Sequence, residues 1–173
     1  MRIAIIADTH GFLDPRIAEA VTECDIAVHA GDIGGADVLL ALQPRNHVVA
    51  VRGNNDVPEK WSAHEVHLLD TLPTEAEIDL PGGKLVVVHG DSAGAPAVRH
   101  EQLRRQYPAA RAVAYGHSHQ VSVDDTALPW ILNPGAAGRT RTYGGPSCLI
   151  LTCDDDRWSV EVVQLPPRKY RAL

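Results

Sequence analysis

Five short apolar runs are spread along the chain, and each is followed by polar residues next to a glycine. The runs are IAIIA (3–7), DIAVHA (25–30), HVVAV (47–51), KLVVV (84–88) and ARAVAY (110–115). Near-continuous apolar runs of this kind predict strands that are buried on both faces. Helical patterns separate them at residues 14–23, around 35–42 and at 94–106, with Asp14 as the predicted N-cap and Pro15 in the first turn. This alternation predicts an α/β fold.

The last third of the chain is rich in predicted strands. They are VSVDD (121–125), PWIL (129–132), PSCLILTCD (146–154) and WSVEVVQL (158–165), and the last two are expected to pair antiparallel. Residues 75–80 and 84–88 predict a hairpin that turns at Gly82 and Gly83. We expect the strand-rich last third to form a second sheet packed on the first, within one domain that spans residues 1–173. The tail, 166–173, is expected on the surface.

The polar residues after the five runs are of the types that bind transition metals. They are Asp8 and His10, then Asp32, Asn54 and His89, and finally His117 and His119. Ligand sites in open α/β sheets lie at the carboxyl ends of strands, so we expect these side chains to converge in one crevice. In an extended chain, the side chains of Asp8 and His10 would project to the same side, and so would those of His117 and His119. The donor set suits Mn, Fe, Zn, Co or Ni, and seven donors predict two ions that share a carboxylate.

Each of these residues has a structural alternative when it is considered alone. Aspartate often follows glycine in turns, Asn54 could close a turn, and His89 could bond a core carbonyl group. The metal interpretation is favoured because the structural alternative requires a coincidence at every strand end. Histidine 29, inside a strand, is predicted to be structural. The others, His47, His64, His67 and His100, are predicted to lie on the surface, and the three tryptophans are predicted to serve packing.

Charge and cysteine content limit the classes of partner and compartment. The formal net charge is −6 and no block of lysine or arginine occurs, which argues against stable binding to duplex nucleic acid. The three cysteines, Cys24, Cys148 and Cys153, form no C-x-x-C pair, which is typical of a reducing, cytoplasmic protein. Cys148 and Cys153 are expected on opposite faces of a strand. No apolar run approaches the length of a membrane span, so no membrane association is expected.

The motifs DTHG (8–11), GD (31–32), GNND (53–56), HG (89–90) and GHSH (116–119) occur in this order along the chain. Together they resemble the calcineurin-like metallophosphoesterase superfamily, and in particular its small bacterial and archaeal phosphodiesterases. NPG (133–135) is similar to the closing segment of that family. The resemblance implies a four-layer α/β/β/α sandwich, in which two mixed β-sheets are flanked by helices.

The resemblance also implies how two divalent metal ions would be held. One ion would be bound by Asp8, His10, Asp32 and His119, and the other by Asp32, Asn54, His89 and His117. Asp32 would bridge the two ions, and Asn54 would supply a neutral amide oxygen. Manganese is the first expectation, with Ni, Fe, Zn or Co as alternatives.

Two positions depart from the family pattern. Many members have histidine where this chain has Asn55, and that histidine is thought to contact the phosphate and to protonate the leaving group. An amide can donate a hydrogen bond but cannot deliver a proton. Close relatives often have histidine where this chain has Asp91, which could orient a metal-bound histidine or cap the segment that starts near Gly94. Asp56 could support the ligands or stabilise its own turn.

The predicted activity is hydrolysis of a small phosphodiester, with Asn55, Asp56 and Asp91 as the catalytic candidates. Arg139 and Arg141, in the loop after NPG, could bind a substrate phosphate through paired hydrogen bonds, or could belong to a solvated loop. The alternatives are a phosphomonoesterase or a nucleotide pyrophosphatase of the same superfamily. A scaffold is also possible, because a eukaryotic retromer subunit resembles this fold and works through protein contacts. Self-association is a family expectation only.

Overall fold

The structure is a computed structural model that describes residues 1–167, so most of the predicted surface tail lies outside the described residues. The strands are β1 (Arg2–Ile6), β2 (Ile26–His29), β3 (His47–Ala50), β4 (Glu75–Leu80), β5 (Gly83–Val88), β6 (Ala112–Ala114), β7 (Val121–Asp124), β8 (Trp130–Pro134), β9 (Ser147–Cys153) and β10 (Trp158–Gln164). The helices are α1 (Pro15–Thr22), α2 (Ala36–Ala41) and α3 (Arg99–Gln106), with 3-10 turns at Pro58–Lys60 and Val66–Thr71. None of the described helices is long and apolar enough to cross a membrane.

The strands form two mixed five-stranded sheets. The first sheet has the order β10-β9-β1-β2-β3, and the second has the order β4-β5-β6-β8-β7. The predicted hairpins β4–β5 and β9–β10 are both confirmed as antiparallel pairs. The expectation that the last third forms the second sheet is wrong. Strands β7 and β8 join the second sheet, whereas β9 pairs with β1 and brings β10 into the first sheet.

Three apolar layers account for the sandwich. Between the sheets, alternate residues such as Ile3 and Ile5 of β1 pack against Leu85 and Val87 of β5. The other side of β1 packs against α1 and α2, and the outer side of the second sheet packs against Leu103 of α3. A strand that contributes to two layers must be apolar at successive positions, which explains the near-continuous run at residues 3–7. The predicted four-layer α/β/β/α sandwich is confirmed.

The sequence predicts the start of α1 correctly but places the start of α3 too early. The side chain of Asp14 accepts a hydrogen bond from the backbone N–H of Arg16, as an N-cap should, and α1 follows it. The helix predicted from residue 94 begins only at Arg99. Gly94 has a left-handed backbone, with φ of 75°, and Pro96 lacks an N–H group, so the intervening residues form turns instead.

The prediction that Cys148 and Cys153 lie on opposite faces of one strand is confirmed. Cys148 faces the helix side of the first sheet, and Cys153 faces the space between the sheets. Cys24 is buried beside α1, and the three thiols are free.

Strand direction places the candidate metal ligands at one edge. Strand β1 is parallel to β2, and β2 is parallel to β3. In the second sheet, β5 is parallel to β6 and β6 is parallel to β8. The loops that leave the carboxyl ends of these strands carry all seven predicted ligands.

Candidate metal centre

Five of the predicted ligands have a backbone conformation that L-residues rarely adopt. The positive-φ residues other than glycine within residues 1–167 are Asp8 (54°), His10 (48°), Asp32 (57°), His117 (66°), His119 (59°) and Arg141 (53°). This left-handed conformation is unfavourable by roughly 1–2 kcal/mol per residue. The expectation that Asp8 and His10, and likewise His117 and His119, lie in extended chain is therefore wrong. Their side chains converge because each loop turns sharply after its strand, and such concentrated strain is typical of functional sites.

On one side of the site, two imidazole rings stand beside the carboxylates of Asp8 and Asp32. The Nε2 atoms of His10 and His119 are 3.1 Å apart. The Nε2 atom of His119 is 3.4 Å from Asp8 Oδ1, and that of His10 is 3.8 Å from Asp32 Oδ2. Ligand atoms that share one cation are themselves separated by about 3 to 3.5 Å. These spacings therefore suit one metal ion.

On the other side, Asn54 Oδ1 lies between two further imidazoles. It is 3.0 Å from His89 Nε2 and 3.1 Å from His117 Nδ1. His89 Nε2 is also 3.4 Å from Asp32 Oδ1. The Nδ1–H group of His89 donates to the carbonyl oxygen of Ala30 at 2.8 Å, so the lone pair of Nε2 faces the site. Asp32 thus directs Oδ1 toward His89 and Oδ2 toward His10, an arrangement suited to a bridging ligand.

The carboxylate of Asp8 is the most unusual group of the site. Its exposed fraction is 0%, and neither oxygen accepts a hydrogen bond of ordinary geometry within residues 1–167. Burial raises the pKa of Asp8 to about 7, although the charge of His89 acts in the opposite direction. A buried carboxylate without donors is unfavourable unless a nearby positive charge compensates it. A metal ion would supply that charge, since a ligand atom of Asp8 lies within 4.8 Å of those of His10 and His119.

The neighbouring ionisable groups are strongly coupled. Burial alone would raise the pKa of Asp32, but the hydrogen bond and charge of His89, together with hydrogen bonds from Asn55, hold it below its usual range. Burial would lower the pKa of His89, but Asp32 raises it to about 8. Burial, with the positive charge of Arg141, lowers the pKa of His119 to about 4. Metal binding at this site should therefore release protons, mainly from Asp8 and His89.

Two glycines allow the loops to meet. A Cβ atom on Gly53 would lie 2.3 Å from both the backbone nitrogen and Oδ1 of Asp32. A Cβ atom on Gly31, whose φ is 90°, would lie 2.6 Å from Nδ1 of His89. Any larger residue would separate the groups that form the site.

Residues 1–156 match the sequence profile of the calcineurin-like phosphoesterase superfamily domain. The chain belongs to this superfamily. A probable metallophosphoesterase of Methanothermobacter thermautotrophicus is 25% identical over 180 aligned positions, which cover 100% of this chain and 98% of the relative.

Two solved structures share the fold. One is described as a novel archaeal phosphodiesterase, with a TM-score of 0.68 and 20% identity, covering 94% of this chain and 100% of the other. The other is wild-type Vps29 from Entamoeba histolytica complexed with Zn²⁺, with a TM-score of 0.70 and 18% identity, covering 96% and 99%. At these identities the likeness establishes the architecture, and the chemistry of this phosphoesterase must be argued from its own residues.

Asn55 supports the carboxylate of Asp32 in this phosphoesterase. Its backbone N–H donates to Asp32 Oδ1 at 2.8 Å, and its side-chain N–H donates to Asp32 Oδ2 at 2.7 Å. Its amide oxygen accepts a hydrogen bond from Nζ of Lys60. The sequence reasoning missed Lys60, because a lone lysine after a turn carries no signal. Lys60 lines a cleft of about 110 Å³ together with His10, Asp32 and Asn55.

Asp56 is buried and fully engaged with N–H groups. Its carboxylate accepts hydrogen bonds from the backbone of Ile33, Gly34 and Gly53 and from Nε1 of Trp61, at 2.8–3.1 Å. These contacts tie the loop after β2 to the loop after β3. Asp56 therefore positions both loops, and within residues 1–167 it makes no hydrogen bond to a candidate ligand side chain.

Asp91 makes an electrostatic interaction with one candidate ligand, since its charge acts on His117. Its side chain is exposed and makes no hydrogen bond within residues 1–167. Val98, the residue before α3, has no side-chain capping bond, and Ala30 already orients His89. Asp91 instead lines a cleft of about 480 Å³ that borders His89.

The loop after β8 brings one of its two arginines to the site. The backbone N–H of Ala137 donates to the carbonyl oxygen of Ala7, which pins the loop against the end of β1. Arg141 Nη2 lies 3.4 Å from His10 Nε2. The guanidinium of Arg139 instead stacks 3.7 Å above the ring of Phe12. Of the two arginines predicted to bind a substrate phosphate, Arg141 therefore lies beside a candidate ligand, whereas Arg139 stacks on Phe12.

Outside the site, most structural predictions are confirmed. His29 is buried and hydrogen-bonded to Thr9 at 2.9 Å, and His47, His64 and His67 are exposed. His100 is only partly exposed, because its ring bridges Asp124 and the phenol of Tyr115, at 2.9 and 3.0 Å.

Asn133, within the NPG motif, was given no role from the sequence. Its side-chain amide donates to the carbonyl oxygen of Gly116 at 2.7 Å and to Ser118 Oγ at 3.0 Å, which fixes the loop that carries His117 and His119. The N-P-G turn signal points to a tight turn but not to this contact.

Proposed function

We propose that this protein is a metal-dependent phosphodiesterase that hydrolyses small phosphodiesters. The observation that carries the proposal is the buried Asp8 carboxylate, which accepts no hydrogen bond of ordinary geometry within residues 1–167 and faces the imidazoles of His10 and His119. Such a group belongs in a site that binds a cation.

The residues present fit two divalent ions. Asp8, His10, Asp32 and His119 would hold one ion, and Asp32, Asn54, His89 and His117 would hold the other. When bound, such a pair of ions, with manganese as the first choice, lowers the pKa of a water molecule and offsets charge on the phosphoryl oxygens. The neutral Asn54 keeps the second group of ligands less negative than the first.

The residues beside the metal ligands suggest how the leaving group is treated. Asn55 orients Asp32 and cannot deliver a proton, so it does not replace a histidine acid. Lys60, bonded to Asn55, adds positive charge at the same cleft and can balance charge that develops on the departing oxygen. Diesters whose leaving groups have low basicity should therefore react fastest.

Arg141→Gln should lower kcat/KM for a phosphodiester by roughly 10- to 100-fold, because a hydrogen bond to a charged group contributes about 1.5–3 kcal/mol. Arg141 lies next to His10 and holds a left-handed backbone, so its guanidinium is positioned over the site. Steady-state kinetics would measure the change.

Arg139→Gln is the matched control, since it removes the same charge from the same loop while Arg139 stacks on Phe12. We expect the control to change kcat/KM less than about threefold. Equal losses in the two variants would mean that the loop acts through general electrostatic attraction, and that Arg141 has no specific contact with substrate.

The proposed function is tested with two chromogenic substrates. The full chain is stripped of metal with a chelator, resupplied with Mn²⁺, and assayed with bis(p-nitrophenyl) phosphate and with p-nitrophenyl phosphate. We expect faster hydrolysis of the diester, dependent on both Mn²⁺ and Asp8. Asp8→Ala should be inactive, and Asp79→Asn, which removes an exposed carboxylate on β4, should retain activity.

The other outcomes assign other functions. Hydrolysis of the monoester alone would replace the proposal with a phosphomonoesterase. A protein that binds metal but hydrolyses neither compound would favour a scaffold role, as the fold shared with Vps29 allows.

A further inference from the structure

A second polar cleft lies at the start of α3, outside the metal ligands. Its volume is about 250 Å³, and its lining includes Arg99, His100, Tyr115, Ser118, Gln120 and Ser122. Ser118 stands between His117 and His119, so one wall of this cleft is the loop that carries two candidate metal ligands. The lining offers hydroxyl, amide and guanidinium donors, which is the chemistry that binds an oxyanion.

Arg99 is the group in this cleft whose charge is uncompensated. Its exposed fraction is 6%, and its Nε–H group has no hydrogen-bond partner within residues 1–167. Nη2 donates to the carbonyl oxygen of Gly94 at 3.1 Å, and the guanidinium also interacts with the phenol of Tyr115, so both of these partners are neutral. A buried guanidinium normally pairs with an anion, because removing its charge from water is otherwise unfavourable.

Within residues 1–167 no carboxylate forms an ion pair with Arg99, and two acids of neighbouring elements are engaged elsewhere. Glu101 pairs with Arg105, and Asp124 pairs with Arg104 at 2.7 Å and with His100 at 2.9 Å. Asp91 makes no ion pair within the described part of the chain. Arg99 therefore lacks the protein counter-ion that its burial calls for.

The backbone at this end of α3 adds to the positive potential. Arg99 is the first residue of this eight-residue helix, and Val98 before it makes no side-chain capping bond. The first N–H groups of a helix lack intrahelical acceptors, and the helix dipole favours an anion there.

We propose that this cleft binds a phosphate group through Arg99, with Ser118, Gln120 and Ser122 as further hydrogen-bond donors. A phosphate is favoured over a carboxylate because its oxygens can accept from more of these donors at once. A statement about the substrate follows, and it rests on the proposed phosphodiesterase function. The preferred substrate is a phosphodiester that carries a second phosphate group.

Binding is tested on the full chain reconstituted with diamagnetic Zn²⁺, by titrating inorganic phosphate and following the Nε–Hε resonance of Arg99 by NMR. Arg99→Lys, which lacks that resonance, assigns it and keeps the charge. We expect a saturable shift with a dissociation constant on the order of 1 mM. In Arg99→Gln, the backbone amide of Ser122 should no longer respond to phosphate. Arg105→Gln removes an exposed charge from the same helix and should leave the titration unchanged.

Three results would overturn the proposed phosphate site. The first is no saturable shift of Arg99 up to about 20 mM phosphate. The second is an equal shift with sodium chloride at the same ionic strength, which would show screening alone. The third is an unchanged response of Ser122 in Arg99→Gln. Because these readouts require no turnover, they stand whether or not the chain proves to be a phosphodiesterase.

The substrate extension has its own measurement. A p-nitrophenyl phosphodiester whose other alcohol carries a phosphate is compared with the same diester without it. Arg99→Gln should lower kcat/KM at least roughly tenfold more for the first compound than for the second. Equal effects on both compounds would contradict the extension and would assign Arg99 a structural role at the loop of Ser118.

Discussion

Replacing Asp32 by asparagine should lower phosphodiester hydrolysis by well over 100-fold and reduce the metal content from two ions per chain to one. Asp32 directs Oδ1 to His89 and Oδ2 to His10, so it belongs to both groups of ligands. Loss of a residue that only supports a ligand typically lowers affinity or activity by about 10–100-fold, and loss of the bridge should exceed that. Metal analysis by mass spectrometry and steady-state kinetics would measure both effects.

Asn in place of Asp32 preserves side-chain size, so the variant should still fold, with some loss of stability because the lowered pKa of Asp32 means that its charge is favourable in the folded chain. Asp79→Asn is the matched control on an exposed strand position. If Asp32→Asn keeps two ions and most of its activity, then the carboxylate does not bridge. Asp8, which also groups with Asp32 and His89, would then be the better candidate for the bridge.

Replacing Asp8 by asparagine should stabilise the metal-free protein while abolishing its activity. The buried carboxylate has a pKa of about 7 in the folded chain, against an ordinary value of 3.8, because burial disfavours its charge. Between these two values the folded state binds more protons than the unfolded state, so the contribution of Asp8 to stability falls as pH rises and levels off above about pH 7. A shift of roughly 3 units corresponds to at most about 4 kcal/mol.

The expected pattern is therefore a stability difference that depends on pH. In chelator, urea unfolding should give similar free energies for the two proteins near pH 4 and a clear advantage for Asp8→Asn near pH 8. Saturating metal should reverse the order, because the wild-type carboxylate then gains its cation. An Asp8→Asn protein that is less stable than wild type near pH 8 in chelator would mean that Asp8 has a favourable partner in the metal-free chain.

Much of the site was predictable because strand ends are visible in the sequence. Apolar runs mark the strands, and parallel strands bring their carboxyl ends to one edge, so Asp8, Asp32, Asn54 and His89 could be placed together without coordinates. The family resemblance then divided the ligands into two groups. The measured spacings are compatible with that division, and occupancy of the two groups by metal stays a prediction.

The residues that the sequence misjudged depend on contacts between distant segments. Asp56 is a catalytic candidate from the sequence, but its carboxylate is bonded to Ile33, Gly34 and Gly53, which favours the turn-stabilising alternative. Lys60 carries no pattern of its own and acquires a role only through Asn55. His100 resembled a surface residue because its partners, Asp124 and Tyr115, follow later in the chain.

The sequence by itself determined the layered α/β architecture and the identity of the candidate ligands, because hydrophobic periodicity and strand-end chemistry are local properties. Tertiary structure decided which sheet receives β9 and β10, since pairing of β9 with β1 joins segments more than a hundred residues apart. It also decided that the ligands converge through left-handed turns, and that Asp8 and Arg99 are buried with side-chain atoms that make no hydrogen bond of ordinary geometry within residues 1–167. Burial and the absence of a partner are properties of the whole packed chain, and no local pattern encodes them.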